Sequence, residues 1–252
     1  MISKGYTPTI KYKNMAVSID NVYQKVKVIS NKEQRGYITP LEFNLLANHA
    51  QDDIFNQYFY DIGQFKRLPM QLEEYSDTVE LIEEKMDIFK VFKNVVADED
   101  VSNTNSITVA TDVYELGNVY NTVGGIDYQV EKVSRKDLVY MQLSKLTQPT
   151  STRPIYITEN ATKIKIYPST LTMTNLSYNY IKKPVQAVWG YNAATGVHNA
   201  TPPETIDFEL HRSEENNLVI KILSLVGIII KDPGIYQIAS QEDAKNVQQE
   251  KS

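Results

Sequence analysis

The stretch that decides the fold is residues 31–65, NKEQRGYITPLEFNLLANHAQDDIFNQYFYDIGQF. Thr39 and Glu42 have the spacing of a capping box, and Pro40 suits the first helical position. Apolar side chains then recur at helical spacing until Gly63, a residue type that favours a helix end. These positions are Phe43, Leu46, Ala47, Ala50, Ile54, Phe55, Tyr58, Phe59 and Ile62. We therefore predict a long helix whose apolar face is broad enough to contact two neighbours.

Further helices are predicted on both sides of this one. Apolar residues between Val22 and Ile29 indicate a short amphipathic helix, with Ser18 or Asp20 available as its cap. The acidic segment 71–92 also has helical spacing, and its charges predict a solvated face or a mobile segment.

A second strong helix signal lies near the C-terminus. Ser213 can cap a helix that opens with the carboxylates of Glu214 and Glu215, which suit the positive end of the helix dipole. Gly227 is the candidate stop. Paired carboxylates of this kind most often solubilise a surface, and we expect the same here.

Residues 93–203 have a different character, with short β-branched and tyrosine-rich runs between turn residues. The predicted strands are SITVATDVYELGNVY, PIYITE, TKIKIYP and LSYNYIKKP. Gly124, Gly125 and the segment 159–162 indicate tight turns. Helical spacing predicts one short helix near 134–146.

Together these patterns predict an α+β protein. Segments 15–68 and 205–252 are expected to form a discontinuous helical bundle. Residues 69–204 are expected to form a β-rich insertion, sandwich or barrel-like. The loop 188–205, rich in Gly, Asn, Thr and Pro, is the best candidate boundary.

The amino-acid composition excludes several classes of function. The sequence has no cysteine, which excludes disulfides and cysteine nucleophiles, and its net charge of −5 argues against affinity built on phosphate neutralisation. The longest apolar run, residues 218–230, falls short of the roughly 20 residues that span a bilayer. We expect no signal sequence and no membrane partner. Tyrosine occurs 17 times, which suits contact surfaces or exposed sheet faces.

Candidate catalytic and metal-binding residues are few. His49 lies one helical turn before Asp52 and Asp53, but no third ligand is evident, and a polar helix face explains the pattern. Residues 98–109 begin like a calcium loop but lack its Gly and its bidentate Glu, so we expect a solvated acidic loop. We therefore expect no metal site and find no recognisable catalytic constellation.

One basic and aromatic cluster stands out near the end of the β-rich region. It consists of Tyr178, Tyr180, Lys182, Lys183, Trp189 and Tyr191. Such a cluster could stack nucleic-acid bases or sugars. On an acidic chain, a subunit contact or a local core is the better interpretation.

Three parts of the sequence resemble a known family. They are residues 31–65, the runs RPIYITE, IKIYP and YIKKPVQAVWGY, and the segment FELHRSEENNLVIKILSLVGIIIKDP. Together they resemble the neck ring proteins, or head-to-tail connectors, of crAss-like tailed bacteriophages. The likeness extends from Ile19 to Gln241 in the same order, with nothing recognisable over residues 70–123.

The resemblance implies a virion structural protein without enzymatic activity or cofactor, made in the bacterial host cytoplasm. It implies a dodecameric ring beneath the portal that contacts the portal and other tail or ring proteins. DNA would pass through its lumen without tight binding. Another tail, fibre or decoration protein remains an alternative, and a phage hydrolase or glycan-binding module is a third.

Two sets of contact residues follow from this interpretation. The contact between copies is expected on the long helix, at Phe43, Ala50, Ile54, Tyr58 and Tyr60. Docking to portal or tail is expected on a final helix, at Asp232, Pro233, Ile235, Tyr236 and Ile238. The polar residues that follow this helix are expected to order only on a partner.

Overall fold

The structure, a computed structural model, describes most of the chain. The described residues are 16–32, 38–65, 73–96, 100–103, 105–192, 197–199, 204–230, 240–242, 244–245 and 248. They form a mixed α/β protein with two compact units. The first unit is Met1–Ile88 with Pro184–Ser252, and the second is Phe89–Lys183. Of the described residues, 73–88, 184–192, 197–199 and 204, which we expected in the β-rich part, therefore belong to the first unit.

The elements in chain order are β1 (Ala16–Val17), α1 (Ile19–Lys32), α2 (Pro40–Phe65), α3 (Glu73–Met86), β2 (Lys90–Asn94), β3 (Val101–Asn103), β4 (Ser106–Thr108), β5 (Val113–Val123), β6 (Ile126–Lys132), α4 (Arg135–Leu143), β7 (Ile155–Asn160), β8 (Lys163–Tyr167), β9 (Leu176–Lys182), β10 (Phe208–His211) and α5 (Glu215–Ile230).

The predicted capping box is confirmed at the start of α2. Glu42 accepts hydrogen bonds from the Thr39 N–H and hydroxyl at 2.9 and 2.8 Å, and Thr39 Oγ1 accepts the Glu42 N–H at 3.3 Å. The predicted stop at Gly63 is wrong, because α2 continues to Phe65. A glycine ends a helix where the backbone turns left-handed, and Gly63 does not have a positive φ.

The start of α1 is held by a residue far away in the sequence. The Ile19 N–H donates to Asp207 Oδ1 at 3.0 Å, so the side-chain acceptor comes from neither predicted cap. Ser18 directly precedes the helix, whereas Asp20 accepts the indole N–H of Trp189 at 2.9 Å.

The predicted ends of the C-terminal helix are both wrong. A short 3-10 turn, Arg212–Glu214, precedes α5 and contains the expected cap Ser213. The helix then passes through Gly227 and ends at Ile230. In the first unit, α5 contacts α1 and α2, α2 contacts α3, and β1 pairs with β10.

Glu214, expected on the surface, is buried. Its side chain is 3% exposed and lies 2.7 Å from Lys85 Nζ in α3. Asn217 donates to its other carboxylate oxygen at 2.9 Å. Because a buried carboxylate needs such partners, this pair ties α3 to the start of α5.

The strand-rich middle is confirmed in the second unit. Its eight strands form one sheet in the order β2-β9-β5-β6-β7-β8-β4-β3. Every neighbouring pair is antiparallel except β6 and β7. Parallel neighbours need a crossover connection, and α4, the predicted short helix, lies within it.

The sheet is curled. Side chains from β4, β5, β6, β7, β8 and β9 pack into one core. The two edge strands, β2 and β3, follow each other in the chain, joined by residues 95–100. Lys93 Nζ and Asp100 Oδ1 lie 2.8 Å apart across this connection.

Both predicted tight turns are confirmed. Gly124 and Gly125 join β5 to β6 with φ values of +62° and +82°, which glycine adopts without strain. β7 and β8 pair as a hairpin around residues 161–162. The run SITVATDVYELGNVY is divided by a turn at 111–112, so it forms β4 and β5 instead of one strand.

Candidate interaction surfaces

Four of the five residues expected to face another copy are buried within their own chain. Phe43 and Ala50 are 0% exposed, Ile54 is 3% and Tyr58 is 5% exposed. Only Tyr60, at 56%, faces solvent. The broad apolar face meets two neighbours of the same chain, α3 and α5. These four side chains therefore present no surface to a second copy, and that expectation is corrected.

The outer face of α2 is apolar only near its ends. Leu41 and Leu45, one helical turn apart, are 75% and 72% exposed, and Tyr60 lies near the other end. Between them His49 and Asp53 form an exposed pair with 3.8 Å between Nε2 and Oδ2. This is the polar helix face that the sequence suggested. Any contact through this face would use the exposed leucine pair.

On its inner side, α2 holds an extended segment, residues 185–189, through side-chain amides. Asn48 Nδ2 donates to the Ala187 carbonyl at 2.9 Å, and Asn48 Oδ1 accepts the Ala187 N–H at 2.8 Å. Asn44 makes the same two bonds with Trp189, at 3.3 and 2.8 Å. Each asparagine therefore pairs with a backbone residue as a neighbouring strand would.

Gln51 extends this arrangement to a third position. Its Nε2 donates to the Val185 carbonyl at 2.9 Å, and its Oε1 accepts the Glu209 N–H at 3.3 Å. We call Asn44, Asn48 and Gln51 the amide row. Four residues rise about 6.0 Å along a helix, and two residues rise about 6.6 Å along a strand. Asn44 and Asn48, four residues apart, therefore match alternate residues of the extended segment. Gln51, three residues after Asn48, reaches the next alternate residue with its longer side chain.

Trp189 has no free face for a base or a sugar. It is 4% exposed, with its ring centroid 4.1 Å from that of Tyr23 and 5.1 Å from that of His198. Tyr191 stacks at 5.9 Å. The next residue, Gly190, leaves no room for a side chain, since a Cβ would lie 2.6 Å from the Glu204 carbonyl carbon.

The predicted basic and aromatic cluster is divided between the two units. Tyr178 and Tyr180 are buried in the core of the second unit, whereas Trp189 and Tyr191 belong to the first. The cluster is therefore not a single stacking surface. Tyr178 and Tyr180 belong to one local core and Trp189 to another, while Tyr191 is 41% exposed. For the three buried residues, a local core is the interpretation that the structure supports.

The buried polar residues Tyr180 and Asp100 of the second unit each have a hydrogen-bonded partner nearer the surface. Burial, together with the nearby Asp112 carboxylate that accepts the Tyr180 hydroxyl at 3.2 Å, raises the pKa of Tyr180 to about 12. The hydrogen bond to Asp100 raises the pKa of Lys93. Asp100 is 5% exposed and also accepts the Val96 N–H at 3.0 Å. The expectation of a solvated acidic loop is therefore wrong at Asp100.

The most exposed apolar surface of the second unit lies on and after α4. Leu138 is buried against Ile155 and Ile157, while the opposite face is open. We define the α4 patch as Val139, Tyr140, Leu143 and Leu146, which are 53%, 63%, 80% and 88% exposed. Sequence spacing predicted the helix but gave no sign that these side chains face solvent.

A groove of about 810 Å³ lies between α1 and α5. Val28 and Ile29 line it and are 56% and 43% exposed. Lys25 and Glu215 form an ion pair at its border, with 2.7 Å between Nζ and Oε1. Glu242 also lines the groove. The expected docking residues Asp232, Pro233, Ile235, Tyr236 and Ile238 lie outside the described residues.

Across the described stretches, no three His, Asp or Glu side chains come together as a metal site. Within the same stretches, no helix is both long and apolar enough to cross a membrane. No protein-family model matches the chain, and no curated protein matches it.

Proposed function

We propose that this chain is a structural protein of a tailed phage virion that forms a ring in the neck, between portal and tail, around a channel for the genome. The observation that carries the proposal is large apolar side chains that are exposed on the helices α2 and α4 or, for Leu146, just after α4. Leu41, Leu45, Leu143 and Leu146 are all more than 70% exposed. Contiguous exposed apolar surface typically marks a protein contact.

The neck location is supported by the resemblance of three sequence segments to the ring proteins of crAss-like phages. In this interpretation, the helices of segments 15–68 and 205–252 form the connector core as a bundle. The contacts of α5 with α1 and α2 support this arrangement. The curled sheet of Phe89–Lys183 is then an extension of the ring.

A closed ring requires two different surfaces on each subunit, because each copy contacts one neighbour with one surface and the other neighbour with another. The chain has exposed apolar side chains on α2 and on α4. It therefore has more than one surface available for such contacts. The expectation of a dodecameric ring is what the resemblance to the crAss-like phage ring proteins implies.

The charge of the chain suits a conduit for DNA. Each phosphate neutralised by a basic residue adds a salt-dependent attraction, which would slow a translocating genome. A net charge of −5 has the same sign as the DNA phosphates, so the overall electrostatic interaction with DNA is repulsive. We infer a lumen that passes DNA without binding it tightly.

Co-assembly with portal particles tests this function. Purified chain added to portal particles should appear as an extra ring at one end of the portal in negative-stain images. The double variant Leu41→Ser with Leu45→Ser should lower occupancy, because it removes exposed apolar area from α2. Ile126→Ser, at an apolar side chain 59% exposed in the second unit, is the matched control. Absence of wild-type chain from portal particles at every ratio would contradict the proposal.

A further inference from the structure

The α4 patch is presented by a stretch of chain that several hydrogen bonds hold in position. Ser134 caps α4 by accepting the Asp137 N–H at 3.2 Å. After the helix, Arg153 Nη2 donates to the Leu146 carbonyl at 3.1 Å, and Thr147 Oγ1 donates to the Met141 carbonyl at 3.2 Å. Leu146, the most exposed large apolar side chain described, is therefore held in place by bonds on both sides.

The surroundings of the α4 patch are basic in an acidic protein. Residues 131–153 contain five basic and two acidic side chains, a net charge of +3, while the whole chain has −5. Arg135 and Lys136, in the first turn of α4, are exposed. A surface that covers this patch should therefore be acidic, with an apolar centre.

The chain itself contains such a surface, on α3. Residues 73–87 contain seven acidic side chains and one basic one, a net charge of −6. The one basic residue, Lys85, is buried with Glu214, so it does not offset the charge of the outer face. Leu81 is 52% exposed, with Glu80 and Glu84 exposed on either side.

We propose that the α4 patch of one copy packs against the outer face of α3 on a second copy, which rests on the proposed ring and names the contact within it. Leu143 and Leu146 cover Leu81, while Arg135 and Lys136 lie near Glu80 and Glu84. The two helices are about 14 and 21 Å long, so one can lie along the other. Because the two surfaces differ, the contact is head-to-tail and can close a ring.

Charge reversal on each side separates this contact from other modes of association. Arg135→Glu with Lys136→Glu makes the α4 side acidic, and Glu80→Lys with Glu84→Lys makes the α3 side basic. Each variant alone should associate about 100-fold more weakly than wild type, because like charges then face each other. The substitutions at Arg135, Lys136 and Glu84 suit the helix dipole, since acidic side chains suit the first turn and basic ones the last. Glu80→Lys replaces one good helix former with another.

An equimolar mixture of the two variants should restore association. One contact then joins the reversed α4 to the reversed α3, and the next joins the two unreversed surfaces. The control, Lys27→Glu with Lys163→Glu, carries the same charge change as the α4 variant but lies outside both surfaces, and it should associate like wild type. Leu143→Asp with Leu146→Asp should abolish association in every mixture.

Mass photometry, with and without portal particles, gives the readout. A mixture that stays monomeric, or a single charge variant that associates like wild type, would overturn the contact while leaving the ring function standing. Wild type that stays monomeric under both conditions would overturn both the contact and the proposed ring.

Discussion

Asn48 makes the two backbone hydrogen bonds with Ala187 that a neighbouring β-strand would otherwise make. Ala187 is 0% exposed, and both of its backbone groups bond to the Asn48 amide. A buried backbone group without a partner costs about 1–3 kcal/mol. A single side chain on α2 thus allows the extended segment to be buried without β-sheet pairing at this residue.

The first prediction concerns this residue. Asn48→Ala should lower the free energy of unfolding by about 2–4 kcal/mol, because it leaves a donor and an acceptor of Ala187 unpaired. Urea denaturation followed by the fluorescence of Trp189, the single tryptophan, measures the loss. Gln64→Ala, at an exposed amide of the same helix, should change stability by less than about 0.5 kcal/mol. Equal effects of the two substitutions would contradict a role for the amide row.

A second prediction follows from the capping box. Its hydrogen bonds from Thr39, the backbone bond most, lower the pKa of the exposed Glu42 carboxyl. A lowered pKa in the folded state adds stability above the ordinary Glu pKa of about 4.3, and this is lost as the pH falls through the folded value. The start of α2 should therefore loosen below about pH 4, as measured by amide exchange at Glu42. The variant Glu42→Gln should not show this pH-dependent loosening. If amide exchange at residue 42 depended on pH in the same way in the variant and in wild type, the predicted role of the cap would be contradicted.

At the scale of elements, burial decides how much an ion pair contributes. Lys85–Glu214 links α3 to the turn before α5, with side chains 11% and 3% exposed. Lys25–Glu215 links α1 to α5 at the same 2.7 Å, but its side chains are 48% and 23% exposed. The two pairs differ mainly in their access to water, which makes each a control for the other.

The third prediction compares them. Lys85→Met should cost about 3–5 kcal/mol, because it leaves the Glu214 carboxylate buried and unpaired. Lys25→Met should cost less than about 1 kcal/mol, as expected of an exposed pair. Glu214→Gln added to Lys85→Met should recover part of the loss, since the buried charge is then gone. Equal costs for the two lysine variants, from chemical denaturation, would count against this comparison.

A fourth prediction concerns the curled sheet at high pH. Burial is the main cause of the raised pKa of Tyr180, about 12, and the bond to Asp100 raises that of Lys93. Groups with raised folded pKa values stabilise the fold below their unfolded values, and the effect fades as the pH rises through the folded ones. Stability should thus fall from about pH 10 towards pH 12. The variant Tyr180→Phe should lose less stability than wild type over this pH range. The variant Tyr140→Phe, at an exposed tyrosine, should lose as much stability as wild type.

These elements also show which features the sequence could predict. The capping box at Thr39 and Glu42, the Gly124–Gly125 turn and the short helix α4 are local patterns, and each was found where the pattern placed it. The cap of α1 by Asp207 and the partner of Glu214 come from distant parts of the chain. No local pattern contains such information.

Periodicity likewise identifies an apolar stripe without showing what covers it. On α2, the stripe is buried by the chain's own α3 and α5, so its side chains are not available to a second copy. On α4 and just after it, Val139, Leu143 and Leu146 have the same kind of spacing but are exposed. The candidate contact surface therefore lies at α4, the shortest α-helix described, and not on the apolar stripe of α2. Only the packing of distant segments decides between the two outcomes.

For the whole molecule, the two units have different roles in the proposed ring. The first unit has an acidic α3 and an exposed leucine pair on α2. The second has the apolar, basic surroundings of α4. A chain with two complementary surfaces can form a closed assembly of identical copies, whereas a single self-complementary patch would give a dimer.

The mass of the purified chain in solution, alone and with portal particles, tests the central claim most directly. A closed dodecamer of 28.8 kDa subunits has a mass of about 346 kDa. We predict this mass, or that of another closed ring of many copies, either free or bound to the portal in mass photometry. A mass that stays at 28.8 kDa under both conditions would contradict the ring.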